Sequence, residues 1–126
     1  MRRTIRDAIR SLLRSVGHTV EMFPSAEEFL KHRNPAQPGC LVLDIRLPDT
    51  SGLELQKTLS ETNDRIPIIF ITGHGDVPMS VQTMKAGAMD FLLKPFRDQD
   101  LLEIIQAALR RDRARRDEDA KAAKDT

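Results

Sequence analysis

The sequence predicts an α/β domain built on a parallel sheet with helices on both faces, and three observations predict it. Two short stretches, Cys40–Leu43 and Pro67–Ile71, are continuously apolar, as strands buried on both faces of a parallel sheet are. Loops containing proline and glycine, Asn34–Gly39 and Pro48–Gly52, bracket the first of these stretches. Segments of helical periodicity separate the apolar runs, so strands and helices alternate along the chain.

The elements follow in order. Ile5, Ala8, Ile9, Leu12, Leu13 and Val16 recur at helical spacing while Arg6, Arg10 and Arg14 face away, and Gly17 is placed to end this amphipathic helix. His18–Phe23, with Val20 alternating against polar neighbours, reads as a short strand. Ser25-x-x-Glu28 is a capping-box pattern that opens a short helix to about Lys31. Cys40–Asp44 is the next strand, and Ser51-x-x-Glu54 opens the helix that carries Leu53, Leu55 and Leu59. Pro67–Ile71 leads into the loop Thr72-Gly-His-Gly-Asp76. Pro78 suits the first turn of the following helix and Gly87 its end. Asp90–Leu93 is a further strand, stopped by Lys94-Pro95. Asp98 is placed to cap the last helix, whose core face is Leu101, Leu102, Ile104, Ile105, Ala108 and Leu109. From Arg110 on, both charge signs mix without an apolar stripe. Residues 1–110 therefore read as one domain, and 111–126 as a charged helical tail or linker.

Composition narrows the function classes. The 126 residues are 40% hydrophobic and 31% charged with a net charge of +1, which suits a folded domain and gives no electrostatic footing for bulk nucleic-acid or membrane binding. Tyr and Trp are absent, so stacking platforms for bases are scarce. The single cysteine, Cys40, falls in a buried strand and fits a reducing compartment, and no apolar run approaches the roughly 18 residues of a membrane span. The expected location is the cytoplasm.

Three strand ends converge on one sheet edge, where ligands bind in open α/β sheets: Asp44, Thr72 and Lys94. A carboxylate can act as nucleophile and form an acyl phosphate. A hydroxyl can donate a hydrogen bond to a phosphoryl oxygen, and an ammonium can neutralise its charge. Each residue alone is a weak signal; in this order after three apolar strands, they are specific. His74 in the Gly-His-Gly loop invites a metal role, but His18 and His32 lie on remote segments, so it reads as a loop side chain. Cys40 reads as a small buried hydrophobe, and Met79, Met84 and Met89 as packing residues.

LVLDIRLPDTSGLEL at 41–55, PIIFITGHGDVPMSVQTMKAGAMDFLLKPF at 67–96 and the segment ending in SAEEFL resemble the receiver domain of two-component response regulators, most closely the FixJ type. The likeness covers roughly residues 2–110. It implies a flavodoxin-like, doubly wound parallel sheet with strand order 2-1-3-4-5. It also implies that Asp44 is the phosphoacceptor served by a sensor histidine kinase, with Thr72 and Lys94 binding the phosphoryl group and Phe91 the aromatic switch. Asp44 and the backbone carbonyl of Arg46 would ligate Mg²⁺, and the Lys94–Pro95 peptide would be cis. Homodimerisation would use the helix–strand surface over Val77–Leu93 and the helix after it. Contact with DNA would fall to an output domain outside this segment, which itself binds neither nucleic acid nor membrane.

The chain departs from the family in one respect. The resemblance implies a first strand ending in an acidic pair, whereas the sequence opens Met1-Arg2-Arg3-Thr4. Without that pair a hard divalent ion would be held weakly. Three accounts stay open: a start further upstream, a truncation, or a degenerate receiver that borrows a strand. The principal alternative function is accordingly a phosphorylation-independent interaction or dimerisation module. A phosphoaspartyl hydrolase is disfavoured, because such enzymes are similar to one another in an Asp two residues after the nucleophile, where this chain has Arg46. The chain is expected not to be an enzyme.

Overall fold

The computed structural model describes residues 5–73 and 76–124. The elements are α1 (Ile5–Ser15), α2 (Ala26–His32), β1 (Leu41–Asp44), α3 (Gly52–Glu61), β2 (Ile68–Thr72), α4 (Val77–Lys85), β3 (Asp90–Leu93) and α5 (Asp98–Lys124). Among the described residues the strands form one parallel sheet in the order β1-β2-β3. Leu41 pairs with Ile68 and Asp44 with Ile71; across the other edge Ile69 pairs with Asp90 and Thr72 with Leu93. This register ends all three strands at one level. The backbone carries the alignment beyond the ladder, since the amide of Ile45 donates to the Ile71 carbonyl at 3.1 Å and that of Lys94 to the Thr72 carbonyl at 2.8 Å.

β2 is buried along its whole length, which explains the unbroken run Ile68-Ile-Phe-Ile-Thr72. Its alternating side chains feed two cores. Ile68 and Phe70 pack with Leu43, Ile45, Phe29, Leu55 and Leu59 under α2 and α3. Ile69 packs with Leu92, Leu13, Leu101, Ile105 and Ala108 under α1 and α5. Helices therefore cover both faces.

Local signals account for most helix ends. The hydroxyls of Ser25 and Ser51 accept from the amides of Glu28 and Glu54, each at 3.2 Å, as the two capping boxes require. Gly17 adopts φ +92°, a left-handed conformation that lets α1 stop while His18 bonds back to the Leu13 carbonyl at 3.0 Å. At α5 the sequence expectation is off by one position. Asp98 is the first helical residue, and the Arg97 carbonyl accepts from Asp100 and Leu101. The Asp98 charge instead favours the helix dipole from within the first turn.

The strand expected at His18–Phe23 does not form. The segment is irregular and joins no ladder. A short strand is stable only with a neighbour to take its backbone hydrogen bonds. Here the segment is held from its end: Arg6 Nη2 donates to the Phe23 carbonyl at 2.9 Å, and the Phe23 ring meets Phe29 edge-on at 5.5 Å.

Candidate functional site

The three strand ends create a polar cluster at the carboxyl edge of the sheet. Lys94 follows β3 and extends its ammonium to Asp44, with Nζ 2.8 Å from Oδ2. The other oxygen of Asp44 accepts from the backbone amide of Arg46 at 3.1 Å. Both side chains are about two-fifths open to solvent, 42% for Asp44 and 37% for Lys94, so a reactant can reach them. Their ion pair is screened and adds little to stability. Its value is positional, because it holds a cation beside a carboxylate at a strand end.

Thr72 lies at the end of the central strand and is wholly buried. Its hydroxyl donates to the Gly73 carbonyl at 3.2 Å rather than to Asp44. The register thus brings Asp44, Thr72 and Lys94 to one edge, where the side chains of Asp44 and Lys94 bond to each other and the Thr72 hydroxyl does not join them. Phe91 lies two residues before the end of β3, half-buried against the core face that also receives Met79. Lys94–Pro95 is a cis peptide, in agreement with the expectation drawn from the family likeness. His74 lies outside the described residues.

The loop after β1 is closed by backbone hydrogen bonds. Arg46 and Ser51 form an antiparallel bridge, Gly52 donates to the Ile45 carbonyl at 2.8 Å, and Leu47 donates to the Thr50 carbonyl at 3.1 Å. Gly52 is required by close approach: a Cβ there would lie 2.5 Å from Phe70 Cε1 and 3.2 Å from the Ile45 backbone. Two side chains that sequence reasoning passed over complete the surroundings. The Arg46 guanidinium grips Oδ1 of Asp76 through Nε at 2.9 Å and Nη2 at 2.7 Å. That bond, then the nearby positive charges of Arg46 and Lys94, hold the Asp76 carboxyl below its usual range despite the opposing effect of desolvation. Asp49 reaches back across the surface to accept from the amides of Ala26 and Glu27 at 3.2 and 3.1 Å, tying the loop to the start of α2. Neither pairing has a local sequence signature, since the partners are separated by 22 residues or more.

The donors for a divalent cation are few. Mg²⁺ takes about six oxygen ligands in near-octahedral geometry. Asp44 and the Arg46 carbonyl supply two kinds of oxygen, and among the described residues no group of three His, Cys, Asp or Glu side chains could hold a metal. These residues alone do not fit a Mg²⁺ site. No described helix is long and apolar enough to cross a membrane.

The chain is similar to proteins of known class. The family model of the response regulator receiver domain matches residues 2–106. Nodulation protein W of Bradyrhizobium diazoefficiens is 55% identical over 114 residues, covering 90% of this chain and 50% of that protein. The transcriptional regulatory protein FixJ of Rhizobium meliloti is 47% identical over 104 residues, 82% of this chain and 51% of that protein. The chain thus spans about half the length of these curated relatives. Among solved structures, the response regulator StyR superposes with a TM-score of 0.86 at 52% identity, covering 96% of this chain and 60% of that one. FixJ-N superposes with a TM-score of 0.78 at 46% identity, covering 84% of this chain and 85% of that one. With a doubly covered parallel sheet, its polar strand-end edge and these likenesses in view, the chain belongs to the response regulator receiver domain family, with relatives of the FixJ kind.

Proposed function

We propose that this receiver takes a phosphoryl group on Asp44 from the phosphohistidine of a sensor histidine kinase. The observation that carries the reading is the 2.8 Å contact between Lys94 Nζ and Asp44 Oδ2 at a solvent-accessible strand end. In the transfer an Asp44 oxygen attacks phosphorus, the P–N bond to the donor imidazole breaks, and an acyl phosphate remains on the carboxylate. The modification adds about −1.5 to −2 charges at pH 7. Lys94 can follow that charge outward from the carboxylate to a phosphoryl oxygen. Thr72 can serve a second oxygen only by giving up its bond to the Gly73 carbonyl. That exchange would bias the loop after β2 and the α4 surface, with Phe91 turning inward, as a shift between populations.

The output of this switch is assigned to homodimerisation through α4, β3 and α5. Val81 and Met84 of α4 are 47% and 36% exposed, large apolar side chains on that surface. The chain acts in the cytoplasm as a signalling domain rather than as an enzyme on outside substrates. DNA would be reached only through a further domain of a longer protein. A second reading, an interaction module that needs no phosphate, is favoured by one observation: both Asp44 oxygens already have protein donors.

Labelling with acetyl phosphate in Mg²⁺ buffer, read by intact mass with Asp44→Asn as control, separates the two. Gain of one phosphoryl mass by the folded protein, lost in the Asn variant, supports transfer to Asp44. A protein that is folded by circular dichroism and stays unlabelled overturns that reading in favour of the second. Light scattering before and after labelling tests the dimer; an unchanged mass in the labelled protein rejects the assigned output.

A further inference from the structure

Arg46 is rooted at the Asp44 site, but its side chain is engaged elsewhere. Its amide donates to Asp44 Oδ1 at 3.1 Å, so the stem starts beside that carboxylate. Its guanidinium instead reaches Asp76, at the threshold of α4, through Nε at 2.9 Å and Nη2 at 2.7 Å. Both bonds end on Oδ1, so the fork of the arginine is spent on a single oxygen. The Arg46 side chain is 75% exposed and that of Asp76 only 15%, so the arginine is the half that can swing through solvent. Its cationic form is favoured first by the bond to Asp76, then by the charge of Asp76 and, against desolvation, by that of Asp44. The guanidinium therefore feels both carboxylates while bonding to one.

Asp76 holds the N-cap position of α4, where an aspartate ordinarily accepts from an amide of the first turn. Here its side chain makes no capping bond and is held by Arg46. Pro78 has no N–H, which leaves the Met79 amide as the donor to be capped. The helix is also seated by polar groups. Ser80 and Thr83 are wholly buried, with hydroxyls donating to the carbonyls of Asp76 and Ser80 at 3.1 and 2.8 Å, while Val81 and Met84 are exposed. Little apolar burial holds such a helix in place, so its N-terminal cap counts for more.

We propose that Arg46 exchanges Asp76 for the phosphoryl group when Asp44 is phosphorylated, and that the released Asp76 caps α4 at the Met79 amide. The inference rests on the assignment of Asp44 as acceptor. Phosphorylation gives that side chain about −1.5 to −2 charges and three acceptor oxygens, which the guanidinium can bind as a fork. The ion pair is then a latch. Closed, it ties the loop after β1 to the start of α4 and leaves α4 without its side-chain cap. Open, it neutralises the acyl phosphate and tightens the first turn of α4. Asp76 is a positioning residue that acts on the transfer through Arg46.

The test is the initial rate at which the 126-residue chain gains a phosphoryl group from acetyl phosphate in Mg²⁺ buffer, read by intact mass, with folding checked by circular dichroism. Asp76→Asn frees Arg46 in advance and should label about threefold faster than the unsubstituted chain, the scale of one exposed ion pair. Arg46→Gln should label about threefold slower, and Arg46→Lys, which keeps the charge, should recover part of that loss. The double variant should match Arg46→Gln. Slowing of both single variants alike would mean a brace without exchange and overturns the proposal. Acceleration by Asp76→Asn that persists in the Arg46→Gln background overturns it too, because the lost negative charge then acts directly on the incoming reagent. The cap is read separately: the Met79 amide proton should sit at its downfield, hydrogen-bonded position in unlabelled Arg46→Gln, and reach it in the unsubstituted chain only on labelling. An identical Met79 amide in the two unlabelled proteins rejects the cap exchange. An unsubstituted chain that takes no label rejects Asp44 as acceptor and the latch with it, whereas a chain that labels without these opposed effects rejects the latch alone.

Discussion

Replacing Asp112 with alanine should reveal how firmly the far half of α5 is bound to the domain. Asp112 is 1% exposed on a segment whose composition reads as a solvated tail. Its two oxygens collect three donors: the Gly39 amide, Arg115 and Arg116. Arg116 in turn donates to the carbonyls of Pro35, Ala36 and Gln37 at 2.9 to 3.0 Å, so the carboxylate orients the arginine that clasps the loop before β1. A hydrogen bond to a charged group contributes about 1.5–3 kcal/mol net, and leaving its partner buried costs a similar amount. The arginine side chains keep 19% and 22% of their surface in water and can turn outward, which limits their share. The Gly39 amide cannot. The expected loss is about 3 kcal/mol, a large part of the roughly 6–15 kcal/mol that holds a domain of this size. It should lower Tm by about 10 °C. Asp112→Asn keeps an acceptor and should lose about half as much. Urea unfolding followed at 222 nm measures all three proteins. A change below about 0.5 kcal/mol for Asp112→Ala, the level of an ordinary surface substitution, would refute the clasp.

Three further outcomes follow from the same geometry. Gly52→Ala should destabilise by about 1–3 kcal/mol through overpacking, because the new Cβ meets the buried Phe70 ring and the Ile45 backbone; an unchanged urea midpoint would contradict that packing. Stability should fall in acid. Burial alone would raise the carboxyls of Asp64 and Asp112, but Arg33 for the first, and the Gly39 amide with Arg115 and Arg116 for the second, bring both below the ordinary carboxylate range. The folded state then holds fewer protons than the unfolded state. Their stabilisation is complete above the unfolded value near 3.9 and lost as pH falls through the folded values, so a urea midpoint unchanged from pH 6 to pH 2.5 would be contrary to expectation. Burial, then the charge of Asp112, pushes the Cys40 thiol from 9.0 to about 11. Cys40 should therefore react with a thiol reagent at pH 8 about 100-fold more slowly than a free cysteine; equal rates would contradict this shielding of the thiol.

What was legible in the sequence was whatever a short window could carry. The apolar runs identified β1 and β2, although only β2 is buried along its whole length, while β1 is half-buried with Leu43 alone inside. Ser25 and Ser51 marked two helix starts because a capping box closes within four residues. The convergence of Asp44, Thr72 and Lys94 was legible for a different reason: once three parallel strands are placed, their carboxyl ends must share an edge. The Asp44–Lys94 contact is a refinement of that topology. His18–Phe23 shows the limit of the method, since alternation describes a surface a strand could use but not a neighbour to pair with.

Long-range polar contacts lie beyond that limit. Arg33–Asp64, Arg46–Asp76 and Asp112–Gly39 join residues 31, 30 and 73 positions apart, and the charged residues among them look like ordinary solvated charge. The two buried examples share a physical consequence. Asp64 and Asp112 could enter the protein interior only because arginine and backbone amides replace the lost water, so neither half of either arrangement is stable alone. A chain rich in Arg and Asp after residue 110 therefore has two different outcomes available, free solvation or docking, with the same composition. The choice rests on Gly39, whose amide reaches Asp112 from a residue at φ +159°, and on the carbonyls of 35–37 that no sheet bond consumes. Docking wins because the loop before β1 has backbone groups to offer, and a helix ending before Asp112 would leave the Gly39 amide and the carbonyls of Pro35 and Ala36 to water.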